Sequence, residues 1–167
     1  MAIDYQRQET ISRSSGRSAV AAMAYITRSQ MHDERTNETH NYSKGHSAVD
    51  NNGSGVIGWR GDAASLANAM EAADKRKNSR TARTFVGALP NNLTHEKQNE
   101  LARRIAQDLY EIDGAPLAFV VHRDKANNPH FHIVKATRKS DDGTSFGPKC
   151  RIWEDSKTGP KTCKEAR

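Results

Sequence analysis

At 167 residues the chain is long enough for one domain with a real hydrophobic core. It carries 26 Lys and Arg against 20 Asp and Glu, a formal charge of +6 with a sequence pI near 9.5, which favours a polyanionic partner. No apolar run approaches the roughly eighteen residues of a membrane span, no signal-peptide core opens the chain, and Cys150 and Cys163 alone make neither a disulfide framework nor a four-thiolate zinc site, so a reduced, cytoplasmic protein is expected.

Ala2 to Ile11 alternates loosely and predicts a first strand over 3–11. Ser12-Arg13-Ser14-Ser15-Gly16-Arg17-Ser18 is a small-residue loop with two arginines, a composition that lets backbone and guanidinium groups approach a phosphate, although a solvated loop looks the same. Alanine enrichment then predicts a helix over 18–30, N-capped by Ser18, with Val20, Met23, Ala24 and Thr27 inward. Tyr25 lies off that stripe beside Ala21 and Arg28. Such a tyrosine usually packs, but Arg28, one turn on, is placed to stabilise a phenolate or a phosphate near the ring.

Met31 to Ser47 reads as an irregular polar excursion, whose His32, His40 and His46 fit no ligand spacing and are taken as surface residues. Asp50 to Gly61, with Asn-Asn-Gly-Ser-Gly, reads as a flexible turn anchored by Val56, Ile57 and Trp59. Asp62 caps a helix to about residue 77, with Leu66, Ala69, Met70 and Ala73 on one side. The basic run Lys75, Arg76, Lys77, Arg80 and Arg83 leads into a strand over 83–89 that Pro90 ends; charge runs are usually solvated faces, but at a strand entrance this one is placed to flank a nucleic-acid groove. Thr94 caps a long helix to Ile112 with Leu101, Ala102, Ile105, Ala106 and Leu109 on its apolar stripe, and Asp113-Gly114 stops it. Beyond Arg138 the chain is polar, with Trp153 its one anchor. The closing Lys-Glu-Ala-Arg starts like a helix, so a single domain at the N-terminus of a longer protein is expected.

Two further strands, 117–122 and 130–137, carry the chemistry. Alternate residues of a strand share a face, so His130 and His132 stand together while Phe131 and Ile133 point away. One such pair is often incidental. If the strands pair antiparallel with His122 opposite His130 or His132, all three imidazoles share a face and can hold one divalent ion with positions left open. A cupin would place a Glu soon after the pair, and none follows His132. The elements make an α+β domain, an antiparallel sheet packed on helices with the metal on the opposite, open face.

The run from Ser12 to Tyr25, then Asp33-Glu34-Arg35-Thr36, Tyr42-Ser43, Ala88-Leu89-Pro90, and His122 with Asn128-Pro129-His130-Phe131-His132, resembles the N-terminal relaxase domain of the MobA/MobL plasmid mobilisation family. The resemblance implies the HUH endonuclease fold and a conjugative DNA strand transferase. Such a domain nicks one strand at a plasmid transfer origin, keeps the 5′ end as a phosphotyrosine and later rejoins it. It implies Tyr25 as nucleophile and His122, His130 and His132 as ligands of one divalent ion, Mn²⁺ or Mg²⁺, although three imidazoles suit Mn²⁺, Zn²⁺ or Ni²⁺ better than Mg²⁺. The implied partners of this monomer are single-stranded or hairpin DNA at the origin, accessory mobilisation proteins and a type IV coupling protein. Arg13, Arg17, Arg28, Lys75, Arg76, Lys77, Arg80 and Arg83 are the expected DNA contacts. One departure stands out: relatives carry acids in the strand before Ala-Leu-Pro, where this chain has Arg83, Thr84 and Val86. The competing readings are an HUH replication initiator or transposase, and a non-catalytic single-stranded DNA-binding module with a structural metal. The last would need a fourth protein ligand that the sequence does not offer.

Overall fold

The computed structural model describes residues 6–44, 49–124 and 127–154. Seven strands and three α-helices follow in order: β1 (Gln6–Ser12), α1 (Ala19–Thr27), β2 (Gln30–Asp33), β3 (Glu38–Asn41), β4 (Val49–Ile57), α2 (Ala63–Ala72), β5 (Arg80–Ala88), α3 (His95–Asp113), β6 (Leu117–His122) and β7 (His130–Ala136), with a short 3₁₀ turn at Arg13–Ser15. Five strands form one sheet in the order β1-β5-β7-β6-β4, every pair antiparallel, and β2 and β3 form a separate hairpin. The α+β class and the antiparallel sheet with flanking helices are as expected.

The expected open face is not. Every residue of β6 is buried, so both faces of the sheet's centre need cover. On one face α3 sets Ala102, Ile105, Ala106 and Leu109 against Phe85, Phe119, Phe131 and Ile133. On the other, α1 and α2 pack Val20, Met23, Leu66 and Met70 over Ala118, Val120, Val134 and Ala136. The histidines share this second face, at its end, where α1 stops and the cover gives out.

Caps fix the helices. Ser18 Oγ accepts from the backbone N–H groups of Val20 and Ala21, and the same hydroxyl donates to the fully buried Asp33 at 2.5 Å. Asp33 Oδ1 in turn accepts from the N–H groups of Arg35 and Thr36, closing the β2–β3 turn onto the start of α1. Asp62 caps α2, Thr94 caps α3, and Gly114 ends α3 in the left-handed region with its N–H on the Tyr110 carbonyl. Glu71, 1% exposed, gathers Arg13, Arg35, the Thr81 hydroxyl and the Ala19 N–H, and so ties α1, α2, β5 and the hairpin together.

Two segments read as irregular are strands. Met31 to Ser47 contains the β2–β3 hairpin, whose signal was masked by its polar outward residues. Asp50 to Gly61 contains the edge strand β4, where the glycines allow close approach: a Cβ on Gly53 would fall 2.8 Å from Val121 and one on Gly55 3.0 Å from Phe119. Two helices are shorter than expected. α1 ends at Thr27, where Arg28 turns left-handed, and α2 ends at Ala72, before the basic run. Gly87 carries the same logic as β4, because a Cβ there would sit 2.4 Å from the Phe131 ring.

Candidate metal centre and nucleophile

The β6–β7 register puts His122 directly opposite His130 and Val120 opposite His132, so the three imidazoles converge on one face. Ring centroids lie 5.4 Å apart for His122 and His130, 4.4 Å for His122 and His132, and 4.9 Å for His130 and His132. One ligand atom from each falls within 4.8 Å of the others.

Backbone carbonyls orient two of the rings. His122 Nε2 donates to the Ile26 carbonyl at 2.6 Å, which leaves Nδ1 as the lone-pair nitrogen, and this Nδ1 is buried with no hydrogen-bond partner among the described residues. His130 Nδ1 donates to the Asn128 carbonyl at 2.8 Å, freeing Nε2. Burial pushes the His122 pKa down against the opposing effect of the Ile26 bond, and burial with the neighbouring imidazoles pushes His132 down to about 3. Both are therefore neutral at pH 7, as a metal ligand must be. An orphaned buried nitrogen on His122, with two further imidazoles converging on it, fits a divalent ion.

Tyr25 stands beside this cluster. Its ring is 44% exposed, with its centroid 6.4 Å from that of His132. Tyr42 meets it edge-on at 5.6 Å, and the Arg28 guanidinium lies 4.4 Å over its face. The C-terminal turn of α1 thus presents the tyrosine and also supplies the Ile26 carbonyl that orients His122. A cleft of about 480 Å³ opens here between α1, the hairpin and the sheet, lined by Tyr25, Tyr42, His132, Arg7, Glu9 and Arg17.

The other expected contacts divide. Arg17 lines the cleft and pairs with Glu9 at 3.3 Å, and Arg28 lies 3.9 Å from Asp124. Arg13 is not open to DNA: its side chain is 8% exposed and bonds the Glu71 carboxylate and the carbonyls of Glu71, Asp74 and Arg76. Lys75, Arg76, Arg80 and Arg83 do not flank this cleft but line a second one at the other end of β5, and Lys77 is exposed nearby. His32 is on the surface, His40 is half-buried 4.0 Å from Asp33, and neither joins the cluster; His46 lies outside the described residues. Cys150 is half-buried, its thiol pushed up to about 11 by burial, and Cys163 lies outside the described residues.

Thr84 and Val86 face the cleft, Val86 directly opposite His132, so the departure noted in the sequence falls beside the metal cluster. A carboxylate arrives from the adjoining strand instead. Glu9, paired across β1 with Thr84, points into the cleft between Arg7 at 3.2 Å and Arg17. Sequence reasoning missed Arg7 and Glu9, although their alternation with the buried Ile11 marks one face of β1.

The MobA/MobL family model matches residues 17–167. The chain belongs to the MobA/MobL family. It is 32% identical over 148 residues to a probable mobilization protein MobA of Bifidobacterium longum, covering 86% of this chain and 26% of that protein. It is 36% identical over 126 residues to the mobilization protein MobL of Acidithiobacillus ferridurans, covering 73% of this chain and 32% of that protein. The chain thus spans about a quarter to a third of the length of these relatives. A solved structure described as "Molecular Basis of Vancomycin Resistance Transfer in Staphylococcus aureus" superposes with a TM-score of 0.79 at 26% identity, over 94% of this chain and 84% of that one. The sheet order and the helices on it agree with the HUH relaxase fold implied by the sequence. Among the described residues no helix is long and apolar enough to cross a membrane.

Proposed function

We propose that this chain is the nicking domain of a plasmid mobilisation relaxase, with Tyr25 as nucleophile and His122, His130 and His132 as the ligands of a divalent ion. The observation that carries the reading is the 6.4 Å between the Tyr25 and His132 rings, which sets an exposed phenol at the edge of a metal-competent cluster. When bound, the ion neutralises and orients phosphate oxygens; an all-imidazole set favours Mn²⁺, Zn²⁺ or Ni²⁺ over Mg²⁺. The phenol oxygen attacks the scissile phosphorus in line as its proton passes to water in the open cleft, and the P–O3′ bond breaks, the departing oxygen taking a proton from water to become the 3′ hydroxyl. Because the 5′-phosphotyrosine keeps the phosphodiester energy, rejoining needs no ATP. The Arg28 guanidinium lies over the ring face, Arg7 and Arg17 face the incoming strand, and Tyr42 offers a surface for a base.

Single-stranded or hairpin DNA at a transfer origin is the substrate in this reading, with accessory mobilisation proteins and a type IV coupling protein acting on the longer protein. The test is incubation with Mn²⁺ and a labelled single strand taken from DNA adjoining the gene. A covalent adduct on a denaturing gel, absent in Tyr25→Phe, is expected; cleavage undiminished in that variant refutes the nucleophile. His130→Ala should lose both metal binding and adduct, and unchanged metal affinity there would refute the ligand set.

A further inference from the structure

A second cleft, of about 1100 Å³, lies at the far end of the sheet. Arg80 opens β5 there, whereas Ala88, at the other end of that strand, is the partner of His130; eight strand residues separate the two by about 26 Å. Thr10 and Arg83, paired across β1 and β5, belong to the α3 side of the sheet and form the cleft floor. The connection after α2 and the segment through Arg138 and Lys149 to Glu154 make the walls.

Among the described residues, seven cationic side chains line this cleft against two carboxylates. Both acids are shared. Asp74 takes Arg138 at 2.9 Å and Lys149 at 3.2 Å, while Glu154 stands 3.7–3.8 Å from Arg80, Arg83 and Arg151, beyond hydrogen-bond reach. Lys75 and Arg76 are exposed and form no ion pair with a described residue. Arg83 is the decisive group: its side chain is 6% exposed, one nitrogen donates to Thr10 Oγ1 at 3.3 Å, and Nε has no hydrogen-bond partner among the described residues. A guanidinium held that deep calls for a hydrogen-bonded counter-charge, whereas Glu154, at 3.8 Å, and Asp113 act on it only through space.

We infer that this cleft binds the phosphate backbone of single-stranded DNA, at a site separate from the histidine centre. Arg83 meets one phosphate on the floor, and Lys75, Arg76 and Arg80 meet its neighbours. Cations spread along a cleft of this size suit successive phosphates better than one small anion. The recess selects a single strand, which can dip to Arg83, over a duplex that is stiff across about 50 nm. That the strand is DNA rests on the proposed nicking function; recognition of a phosphodiester backbone rests on the cleft alone.

The test is fluorescence anisotropy on the full chain between 50 and 300 mM NaCl. The probes are a labelled single-stranded DNA of mixed sequence, about 30 nucleotides long, and its duplex. Each phosphate contact on a single strand contributes about 0.7 to the slope of log affinity against log salt. Lys75→Ala/Arg76→Ala/Arg80→Ala removes three exposed cations and is expected to flatten that slope by about two, with affinity for the single strand falling roughly tenfold or more at low salt. Arg83→Met should flatten it by about 0.7 further, with a thermal melt reporting whether it folds. The same losses are expected in a His130→Ala background, so failure of the nicking chemistry reads out separately. An unchanged slope in the triple variant, or an equal loss on the duplex, overturns the inference.

Discussion

Gly87→Ala probes how closely the metal cluster depends on the packing beneath it. Gly87 faces Phe131 across the β5–β7 pair, and a Cβ there would lie 2.4 and 2.5 Å from two ring carbons. That is about 1 Å inside ordinary carbon contact. Phe131 is fully buried against Phe85, Phe119 and α3 and has nowhere to turn, so β7 must move or the ring must leave its rotamer. Overpacking of this kind costs about 1–3 kcal/mol, offset by about 0.5–1 kcal/mol from replacing a glycine inside a strand. A net loss near 1–2 kcal/mol lowers Tm by about 2–8 °C for a chain of this length. The site should suffer more than the fold. His130 and His132 flank Phe131, and metal bonds tolerate errors of only about 0.2 Å, so Mn²⁺ affinity should drop roughly tenfold or more. Calorimetry without metal and Mn²⁺ titration measure the two effects. Phe131→Leu added to Gly87→Ala removes the clash and should return much of the metal affinity. A Gly87→Ala protein that melts with the wild type and binds Mn²⁺ equally well refutes this coupling.

Two further substitutions test the supports of the site. Ser18→Ala removes the cap of α1 and strands the buried Asp33 oxygen, and should cost about 2–4 kcal/mol in urea unfolding; a loss under about 1 kcal/mol would mean that the cap and the carboxylate are not coupled. Lys135 is fully buried and donates to Asp113 at 2.6 Å, while Trp153 Nε1 holds the other carboxylate oxygen at 2.7 Å. Lys135→Met should cost about 3 kcal/mol by leaving a buried carboxylate without its cation, and adding Asp113→Asn should recover part of it; full stability in the single variant refutes the pairing.

The histidine cluster was legible because strand periodicity is local: alternation put His130 and His132 on one face, and the length of the Arg123–Pro129 turn brought His122 opposite. The long apolar stripe of α3 was legible for the same reason. What escaped depended on partners distant in sequence. β4 is hidden by glycines that exist only to admit Phe119 and Val121, and the β2–β3 hairpin is held by a buried Asp33 that looks like any surface acid until Ser18 is beside it. Arg13 was misread as a phosphate contact because nothing local announces Glu71, 58 residues away. The basic run was legible, but its distance from the histidines was not, since which end of a strand it occupies relative to them is a matter of register.

The last turn of α1 concentrates the proposed nucleophile, the carbonyl that orients His122 and a cation within four residues, and Arg28 is where these demands conflict. It adopts the left-handed conformation, with φ 51° and ψ 45°, to end the helix and fold its guanidinium back over Tyr25. For a residue with a Cβ that conformation costs about 1 kcal/mol. The contacts that offset it include a 3.9 Å pair with Asp124, worth under about 1 kcal/mol, and the ring contact, worth about 0.5–1 kcal/mol. Arg28→Gly and Arg28→Ala lose the same side-chain contacts, but only Arg28→Gly releases the strain, so Arg28→Ala should be less stable than Arg28→Gly by about 1 kcal/mol. If the guanidinium serves Tyr25, both variants lose adduct formation to the same degree, roughly tenfold or more, despite their different stabilities. Urea unfolding with single-turnover adduct formation separates the two quantities. Full activity in Arg28→Gly would assign Arg28 to helix termination alone, and equal stability of the two variants would remove the strain from the account.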